Sequence, residues 1–471
     1  MTDAARATVE TCDLAVIGAG PAGMAAAVTA AGLGLSVAAI DEQAAPGGQI
    51  YRNVLASPQA ERLGPDYLHG AELARGFLAA KEISRYPETT VWMISADGEI
   101  GLRDGGGRIV LLRAKATIVA TGALERPMPF PGWTLPGVMT AGSAQVLLKS
   151  AAVVPADGVV LAGSGPLLYL VAAQLLDLGV RPGAIVETTP RANTLAAARH
   201  WRAAMGGTAT LFKGLKLLAR LRAARVPMVK GATGLVAEAG PDGLVARLKY
   251  RSGDRERSVA CGLLLVHQGV VPNVQITRAL DLPHDWDAAQ RCWRPRLGEW
   301  GDTALPGIFV AGDGGGIGGA LAAEEQGRLA ALAAACRIGR IDQPERDRRA
   351  ALPRRALERH LAVRPFLDTL YRPADDAVIP PDETVVCRCE EVTAGEIRRC
   401  VADGCVGPNQ VKSFARPGMG PCQGRMCGLT VAEIVAAARG LPVAEVGYYR
   451  LRQPLKPVTL GELAQMEEVA K

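Results

Sequence analysis

Six of the ten cysteines lie between Cys387 and Cys427, and four of them stand as two close pairs, Cys387-Arg388-Cys389 and Cys422-x4-Cys427. Clustered thiols in a chain with no export signal favour metal ligation over disulfides. Four thiolates suit a [2Fe–2S] or [4Fe–4S] cluster and also a structural zinc. A Cys-x-Cys pair is tighter than zinc sites ordinarily use, which favours iron–sulfur. Cys400 and Cys405 repeat the C-x4-C spacing. However, Ile397, Cys400 and Val401 fall at helical spacing, so Cys400 reads as core-facing, and Cys405 follows Gly404 at the far end of that helix. The preferred ligands are Cys387, Cys389, Cys422 and Cys427. Thr393 with Glu396 and Thr430 with Glu433 have capping-box spacing, so a helix is predicted to begin just after each cysteine pair, its positive end near the thiolates. The single cysteines Cys12, Cys261, Cys292 and Cys336 read as small buried apolar residues.

The second chemical feature is Gly18-Ala19-Gly20-Pro21-Ala22-Gly23, preceded by the apolar run Leu14–Ile17 and followed by an alanine-rich segment to about Ala31. With 55 glycines in 471 residues, the bare pattern should arise by chance on the order of once, so the context carries the weight. That context is strand, turn, helix, and then a strand Leu35–Ile40 ending at Asp41-Glu42. Gly18 permits the turn, Gly20 lets backbone approach a pyrophosphate, and Gly23 allows close helix–strand packing; the helix N-terminus faces the phosphates. Asp41, with Glu42 as the neighbouring option, is the expected ribose ligand.

The unit recurs at 158–187, with strand Val159–Ala162, turn Gly163-Ser164-Gly165-Pro166, helix Leu167–Leu178 and strand Ala184–Glu187. Leu168 replaces the third glycine and is expected to push helix and strand apart or to change how closely they pack, which counts against nicotinamide binding there without excluding it. The uncharged stretch from Gly158 to Leu176 could mislead a hydropathy window, but its central Gly/Pro turn reads as strand, turn and helix.

Two such units, with Thr117–Ala123 ending in Ala120-Thr121-Gly122 and Gly307–Asp313 ending in Gly312-Asp313, resemble the two-domain flavoprotein disulfide reductase superfamily. Its redox disulfide is missing, which excludes a disulfide reductase. Cys387–Thr393 with Gly407–Gly428 resembles the bacterioferritin-associated-ferredoxin-like [2Fe–2S] domain. Its fusion to Asp41–Arg52 (DEQAAPGGQIYR), Ala120–Trp133 and His267–Asn273 resembles one family. That family contains the A-type subunits of opine oxidase, the B-type subunits of hydrogen cyanide synthase and the larger subunits of dye-linked proline or hydroxyproline dehydrogenases.

That resemblance, over residues 12–440, implies an α/β fold of two interleaved Rossmann-like domains of glutathione-reductase type plus a small, mostly helical iron–sulfur domain. The expected division is 10–140 and 270–340 for FAD, 141–269 for the nucleotide-like domain, 341–380 as connector with one or two short helices, 381–445 for the [2Fe–2S] domain and 446–471 as tail. The FAD residues implied are Gly18, Gly20, Pro21, Ala22, Gly23, Asp41, Glu42, Gln43, Gly48, Gln49, Ala120, Thr121, Gly122, Gly312 and Asp313. Asp313 would bond the ribityl or pyrophosphate part. A second nucleotide (NAD(P), ATP or ADP-like) at the altered unit and a bridging FMN or FAD between subunits remain open. The implied partner is a subunit resembling D-amino-acid oxidases, with a small third subunit open, and the implied role is electron relay from an amine or amino-acid donor to an acceptor such as quinone or dye.

Composition agrees with a packed globular protein, at 49% apolar and 21% charged residues. At 4% aromatic residues it lacks the stacking platforms of single-strand nucleic-acid binders, and no nucleic-acid partner is expected. The five histidines share no ligand spacing. His267, at a strand end, is read as structural rather than as a flavin neighbour, and no substrate base is evident. Phe212–Leu221 is a basic amphipathic pattern. Its preferred reading is a solvated helix packed on the nucleotide-like domain, and the alternative is an anionic membrane surface, where a quinone would be found. The N-terminus lacks a basic region followed by an apolar one, so a cytoplasmic protein is expected, with association at the inner membrane face as the alternative.

Overall fold

The computed structural model describes residues 8–466. β1 (Thr8–Ile17), α1 (Pro21–Ala31) and β2 (Val37–Ile40) form the first unit. Leu14 to Ile17 and Val37 to Ile40 are buried throughout, as parallel strands covered on both faces must be. Pro21 pre-sets the first turn of α1 behind Gly20. α2 (Pro65–Ala79) leads to β3 (Ile83–Tyr86), the pair β4 (Thr90–Ile94) and β5 (Glu99–Arg103), and the long β6 (Ile109–Val119). The sheet order is β3-β2-β1-β6-β5-β4, parallel as far as β6 and antiparallel beyond it.

After β7 (Ala123–Glu125) the chain crosses into a second sheet through β8 (Val138–Thr140). Then come α3 (Ala141–Ala151), β9 (Val160–Ser164), α4 (Pro166–Asp177) and β10 (Ala184–Glu187), so Gly158–Leu176 folds as strand, turn and helix. Helices α5 (Arg191–Ala198), α6 (Trp201–Gly206) and α7 (Thr208–Ala223) follow. β11 (Met228–Val229), a meander of β12 (Ala232–Ala239), β13 (Val245–Ser252) and β14 (Arg255–Ala260), and β15 (Leu264–Gln268) complete the insertion. Its parallel sheet runs β11-β10-β9-β15-β8. α7 packs on this domain through Leu218 and Leu221. No helix among the described residues is long and apolar enough to cross a membrane.

β16 (Val270–Pro272) returns antiparallel to β7, so the two crossings between sheets are stitched together. α8 (Gln275–Ala279) and the hairpin of β17 (His284–Asp287) and β18 (Cys292–Pro295) precede β19 (Ile308–Val310), which rejoins the first sheet beside β6. α9 (Ala320–Arg337) lies on α1 so closely that a Cβ at Gly327 would stand 2.1 Å from the Ala22 carbonyl oxygen. The connector is more helical than expected. α10 (Gln343–Leu361) is 19 residues long; Asp342 caps it at Glu345 N–H, and Arg348 and Arg349 pair with the Glu345 carboxylate in its first turns. α11 (Arg364–Leu370) follows.

The last domain begins with the small hairpin β20 (Val385–Cys387) and β21 (Val392–Thr393), then α12 (Ala394–Ala402), α13 (Pro408–Ala415) and α14 (Gly428–Arg439). The Thr393/Glu396 capping box forms as expected. The Thr430/Glu433 box does not. α14 starts at Gly428 with Cys427 as its N-cap, which puts Thr430 and Glu433 inside the helix. Glu433 is engaged elsewhere. Arg291, in the β17–β18 turn, donates Nε to Oε1 (3.1 Å) and Nη2 to Oε2 (2.8 Å), with both side chains buried. The tail then runs back as a strap over the antiparallel edge of the first sheet. Gln453 bonds both backbone groups of Ile94, Leu455 N–H donates to Trp92 O (2.7 Å), and Glu462 pairs with Arg103.

Removing one member of a buried ion pair leaves the other charge unpaired, which typically costs about 3–5 kcal/mol, whereas replacing both with apolar residues is often neutral. Arg291 also donates to Asp375 Oδ1 (2.5 Å) and Pro373 O (3.2 Å), so Glu433→Leu leaves it only an exposed carboxylate; the variant is expected to lower the urea midpoint, and Arg291→Met with Glu433→Leu to recover part of the loss.

Candidate functional site

The first glycine turn is built for backbone to approach a phosphate. A Cβ at Gly23 would fall 1.7 Å from Gly18 O, so only glycine lets α1 seat against the turn. Gly48 lies opposite, its missing Cβ 2.8 Å from the Gly20 Cα, and α1 aims its N-terminus into the gap. Asp41, expected at the ribose, is turned onto the loop itself. Its Oδ2 accepts from Ala19 N (2.6 Å) and Oδ1 from Gln43 N (2.7 Å), and burial raises its pKa above the usual carboxylate value. Glu42 is exposed and paired with Lys456 of the tail (2.8 Å). Gln43 and Gln49 both accept from Arg52, the latter at 2.8 Å. At the far end of the cradle, Asp313 Oδ1 accepts from Gly318 N (2.8 Å) and Gly319 N (2.9 Å), holding the loop that opens into α9. Gly122 O is bonded by Asn273 N–H, while the Thr121 hydroxyl is buried with no partner in the chain. A narrow glycine-walled groove with an unpartnered buried hydroxyl fits a dinucleotide.

Two groups here carried no sequence signal that singled them out. Lys149 on α3 donates to Gln49 O (3.1 Å), Ile50 O (2.9 Å) and Gln145 Oε1 (2.8 Å), pinning the Gly47–Tyr51 loop to the inserted domain. Burial, and then the nearby Arg52 charge, bring its amine down to about 7. Tyr51 donates to Glu324 on α9 (3.0 Å), and His69 lies beside the same carboxylate.

The second glycine turn is differently furnished. Gly163 holds a positive φ of 130°, and a Cβ at Gly165 would lie 3.1 Å from the His267 ring. His267 is buried and its Nδ1 stands 2.6 Å from Glu125 Oε1; Glu125 also accepts from Gly142 N–H at the start of α3. The histidine therefore ties β15 to β7. Leu168 is fully buried among Leu161, Val171 and Leu175 in the inserted domain's core. Glu187, the terminal acid of β10, is hydrogen-bonded by Tyr169, with Tyr371 of the connector close by and one carboxylate oxygen unpartnered. A cavity of about 280 Å³ lies just beyond, walled in part by Thr188, Arg191, Lys230 and Thr233.

The four expected metal-ligating cysteines come together as two pairs. Cys387 at the end of β20 and Cys427 at the head of α14 share a thiol hydrogen bond, and Cys389 shares another with Cys422. The bond from Cys427 is the main reason the Cys387 thiol falls to about 6; Gly418 N–H, 3.5 Å from the sulfur, adds to it. The same bond pushes Cys427 well up. No three His, Cys, Asp or Glu donors among the described residues converge as a site for one metal ion. Cys405 is buried in the small domain's core, with Cys400 near it. Tyr449, which no sequence pattern marked, closes the site, its hydroxyl 3.9 Å from Cys427 Sγ. Arg425 donates to Leu455 O, tying the cysteine loop to the strap.

A dinucleotide domain, interrupted by a second of the same kind and rejoined through β16 and β19, defines a two-domain flavoprotein oxidoreductase. Residues 12–327 match the pyridine nucleotide-disulphide oxidoreductase model, and 382–466 match the sarcosine oxidase A3 domain. The A-type opine oxidase subunit of Agrobacterium tumefaciens is 43% identical over 98% of this chain and 92% of its own. The hydrogen cyanide synthase subunit HcnB of Pseudomonas protegens is 34% identical, covering 94% and 95%. The crystal structure of L-proline dehydrogenase from P. horikoshii superposes with a TM-score of 0.70 over 97% of this chain and 80% of that one, at 20% identity. The chain belongs to the family of A-type opine oxidase subunits within the pyridine nucleotide-disulphide oxidoreductases, and it is an FAD-dependent oxidoreductase.

Lys149 binds fewer protons folded than unfolded between pH 7 and its ordinary value of 10.5, so its contribution to stability rises with pH across that window and is least favourable below pH 7. Urea midpoints measured between pH 7 and pH 10 are expected to show a smaller upward slope in Lys149→Met than in the parent.

Proposed function

We propose that this chain is the FAD- and [2Fe–2S]-carrying electron-transfer subunit of a heteromeric dehydrogenase or oxidase acting on the C–N bond of an opine, secondary amine or amino acid. The partner subunit, resembling D-amino-acid oxidases, would hold the donor and its own flavin, and electrons would pass through this chain to an acceptor such as quinone or dye. The observation that carries the reading is a flavin cradle and a thiol quartet in one packed body, joined by the buried Arg291–Glu433 pair. Two thiol pairs would suit a [2Fe–2S] cluster ligated by four thiolates. When bound, FAD accepts electrons in pairs and an iron–sulfur cluster transfers them singly.

The chain's own residues supply position and shielding. Gly18, Gly20 and Gly23 admit the pyrophosphate, Thr121 and Asp313 line the cradle, and Lys149 fixes the Gly48-Gln49 loop against it. Cys387, Cys389, Cys422 and Cys427 would hold the cluster, with Gly418 N–H and the Tyr449 hydroxyl directed at sulfur and the Tyr449 ring excluding water. The 34% identity with HcnB favours one second reading, the same relay with glycine as donor. Reduction by NAD(P)H is disfavoured, because Leu168 stands where the second glycine turn would need its third glycine.

Purified alone, the chain is expected to contain FAD yet oxidise no amine. Co-purified with its partner subunit, it is expected to turn over one of opine, glycine, proline or hydroxyproline; amine turnover by the isolated chain would contradict the reading. Exchange of Cys387, Cys389, Cys422 and Cys427 for serine is expected to abolish bound iron and the visible cluster absorption while FAD is retained, and iron surviving in that variant would point to Cys400 and Cys405.

A further inference from the structure

Cys400 and Cys405 are the two thiols of the small domain that the quartet leaves over, and the end of α12 brings them together. The helix stops at Ala402, Asp403 is its C-cap, and Gly404 takes the left-handed turn with a φ of 107°. Cys405 N–H then donates back to Cys400 O (2.9 Å) and Gly404 N–H to Val401 O (3.0 Å). This is the bonding pattern of a Schellman motif, in which the side chain three residues before the cap meets the one two residues after it. Here both of those side chains are thiols. Cys405 is buried in the core of the small domain, and the half-buried Cys400 packs against that core.

An apolar pair would close a helix end equally well, but two thiols add a capacity that apolar side chains lack, which is to be joined. One partner is reachable from solvent and the other is not, so the first can meet a reagent and the second can only meet the first. Burial, and then the neighbouring Cys405, hold the Cys400 thiol above its ordinary range. A thiol held there is a poor target for a burst of peroxide, because the thiolate is the nucleophile. It suits slow exchange that follows the thiol–disulfide balance of the surroundings.

We propose that Cys400 and Cys405 are a reversible disulfide-forming site, oxidised by exchange with a low-molecular-weight disulfide such as oxidised glutathione. The Cys400 thiolate attacks one sulfur of the small disulfide, which forms a mixed disulfide and releases one thiolate. Cys405 then attacks the Cys400 sulfur, which forms the internal S–S bond and releases the second. Two protein thiols are oxidised, the small disulfide is reduced to two thiols, and the two protein thiol protons pass to the released thiolates. In a reducing compartment such a pair rests as thiols, and its disulfide marks an oxidising shift. The bond staples the last turn of α12 to the segment that leads into α13. The inference does not rest on the relay reading and holds whatever the quartet binds.

The test is anaerobic incubation of the full-length chain in glutathione buffers of graded reduced-to-oxidised ratio, followed by alkylation and tryptic digestion. Trypsin cuts after Arg399 and Lys412, so both thiols fall on peptide 400–412. Cuts after Arg388 and Arg425 put Cys387, Cys389, Cys422 and Cys427 on other peptides, so their state does not enter the reading. Oxidising buffer is expected to yield peptide 400–412 without alkyl groups and lighter by two hydrogens, and dithiothreitol to return it to two alkylated thiols. Cys405→Ser is expected to stop at a glutathione adduct on Cys400, and Cys400→Ser to leave Cys405 unmodified until the chain is unfolded. Hydrogen exchange at the end of α12 is expected to slow by about tenfold or more in the oxidised chain. FAD content and melting temperature serve as folding controls for both variants. Two alkylatable thiols at every ratio would overturn the proposal and leave the pair as the ordinary apolar contact of a helix end. A lasting glutathione adduct in the parent, a bond from either residue to a cysteine of the quartet, or unchanged exchange in the oxidised chain would overturn it as well.

Discussion

The Arg291–Glu433 pair is closed off from water on both sides, and the spatial relation between the two halves of the molecule depends on it. Arg291 is presented by the β17–β18 turn, whose backbone is in turn gripped by the fully buried Arg126. That guanidinium donates to Gln268 O (3.0 Å), Arg291 O (2.9 Å) and Gln290 O (2.5 Å), so one cation fixes the platform for another. Buried pairs of this kind contribute little net stability, because desolvation offsets the attraction. What they supply here is register: the carboxylate lies on the helix that Cys427 caps, so satisfying the charge fixes that helix against the β17–β18 turn.

The two glycine turns show how one local motif is put to different uses. In the first, Gly23 allows α1 onto the turn and the groove above it is left to a ligand. In the second, side chains crowd the turn itself. The His267 ring rests against Gly165, Glu125 holds the histidine, and Tyr169 holds the strand-end acid. The His267–Glu125 pair also joins β15 of the inserted sheet to β7, after which the chain crosses out of the first.

The strap formed by residues 446–466 acts in the same direction as the buried pair. Leu455 enters the core beneath the antiparallel strands, Lys456 reaches Glu42 at the edge of the cradle, and Arg425 links the strap to the cysteine loop. A segment that looks like a polar tail in sequence thus ties the two functional sites to each other, because its few anchoring groups find partners far away in the chain.

The sequence alone was enough for features governed by neighbours in the chain. Both strand–turn–helix units and the Thr393 cap follow from short-range spacing, since turn sterics and capping act over a few residues. Quantities set by distant partners required the tertiary structure. The Thr430/Glu433 spacing suggested a cap, but Arg291, 142 residues away, claimed the carboxylate and the helix began at Gly428 instead. Asp41 looked like a free ribose ligand and turned onto the Ala19 and Gln43 amides, while Lys149, Tyr371 and Tyr449 gained their roles only from what folding placed beside them. A buried charge or hydroxyl takes whichever partner the packed chain brings within about 3 Å, and no local pattern encodes which one that will be.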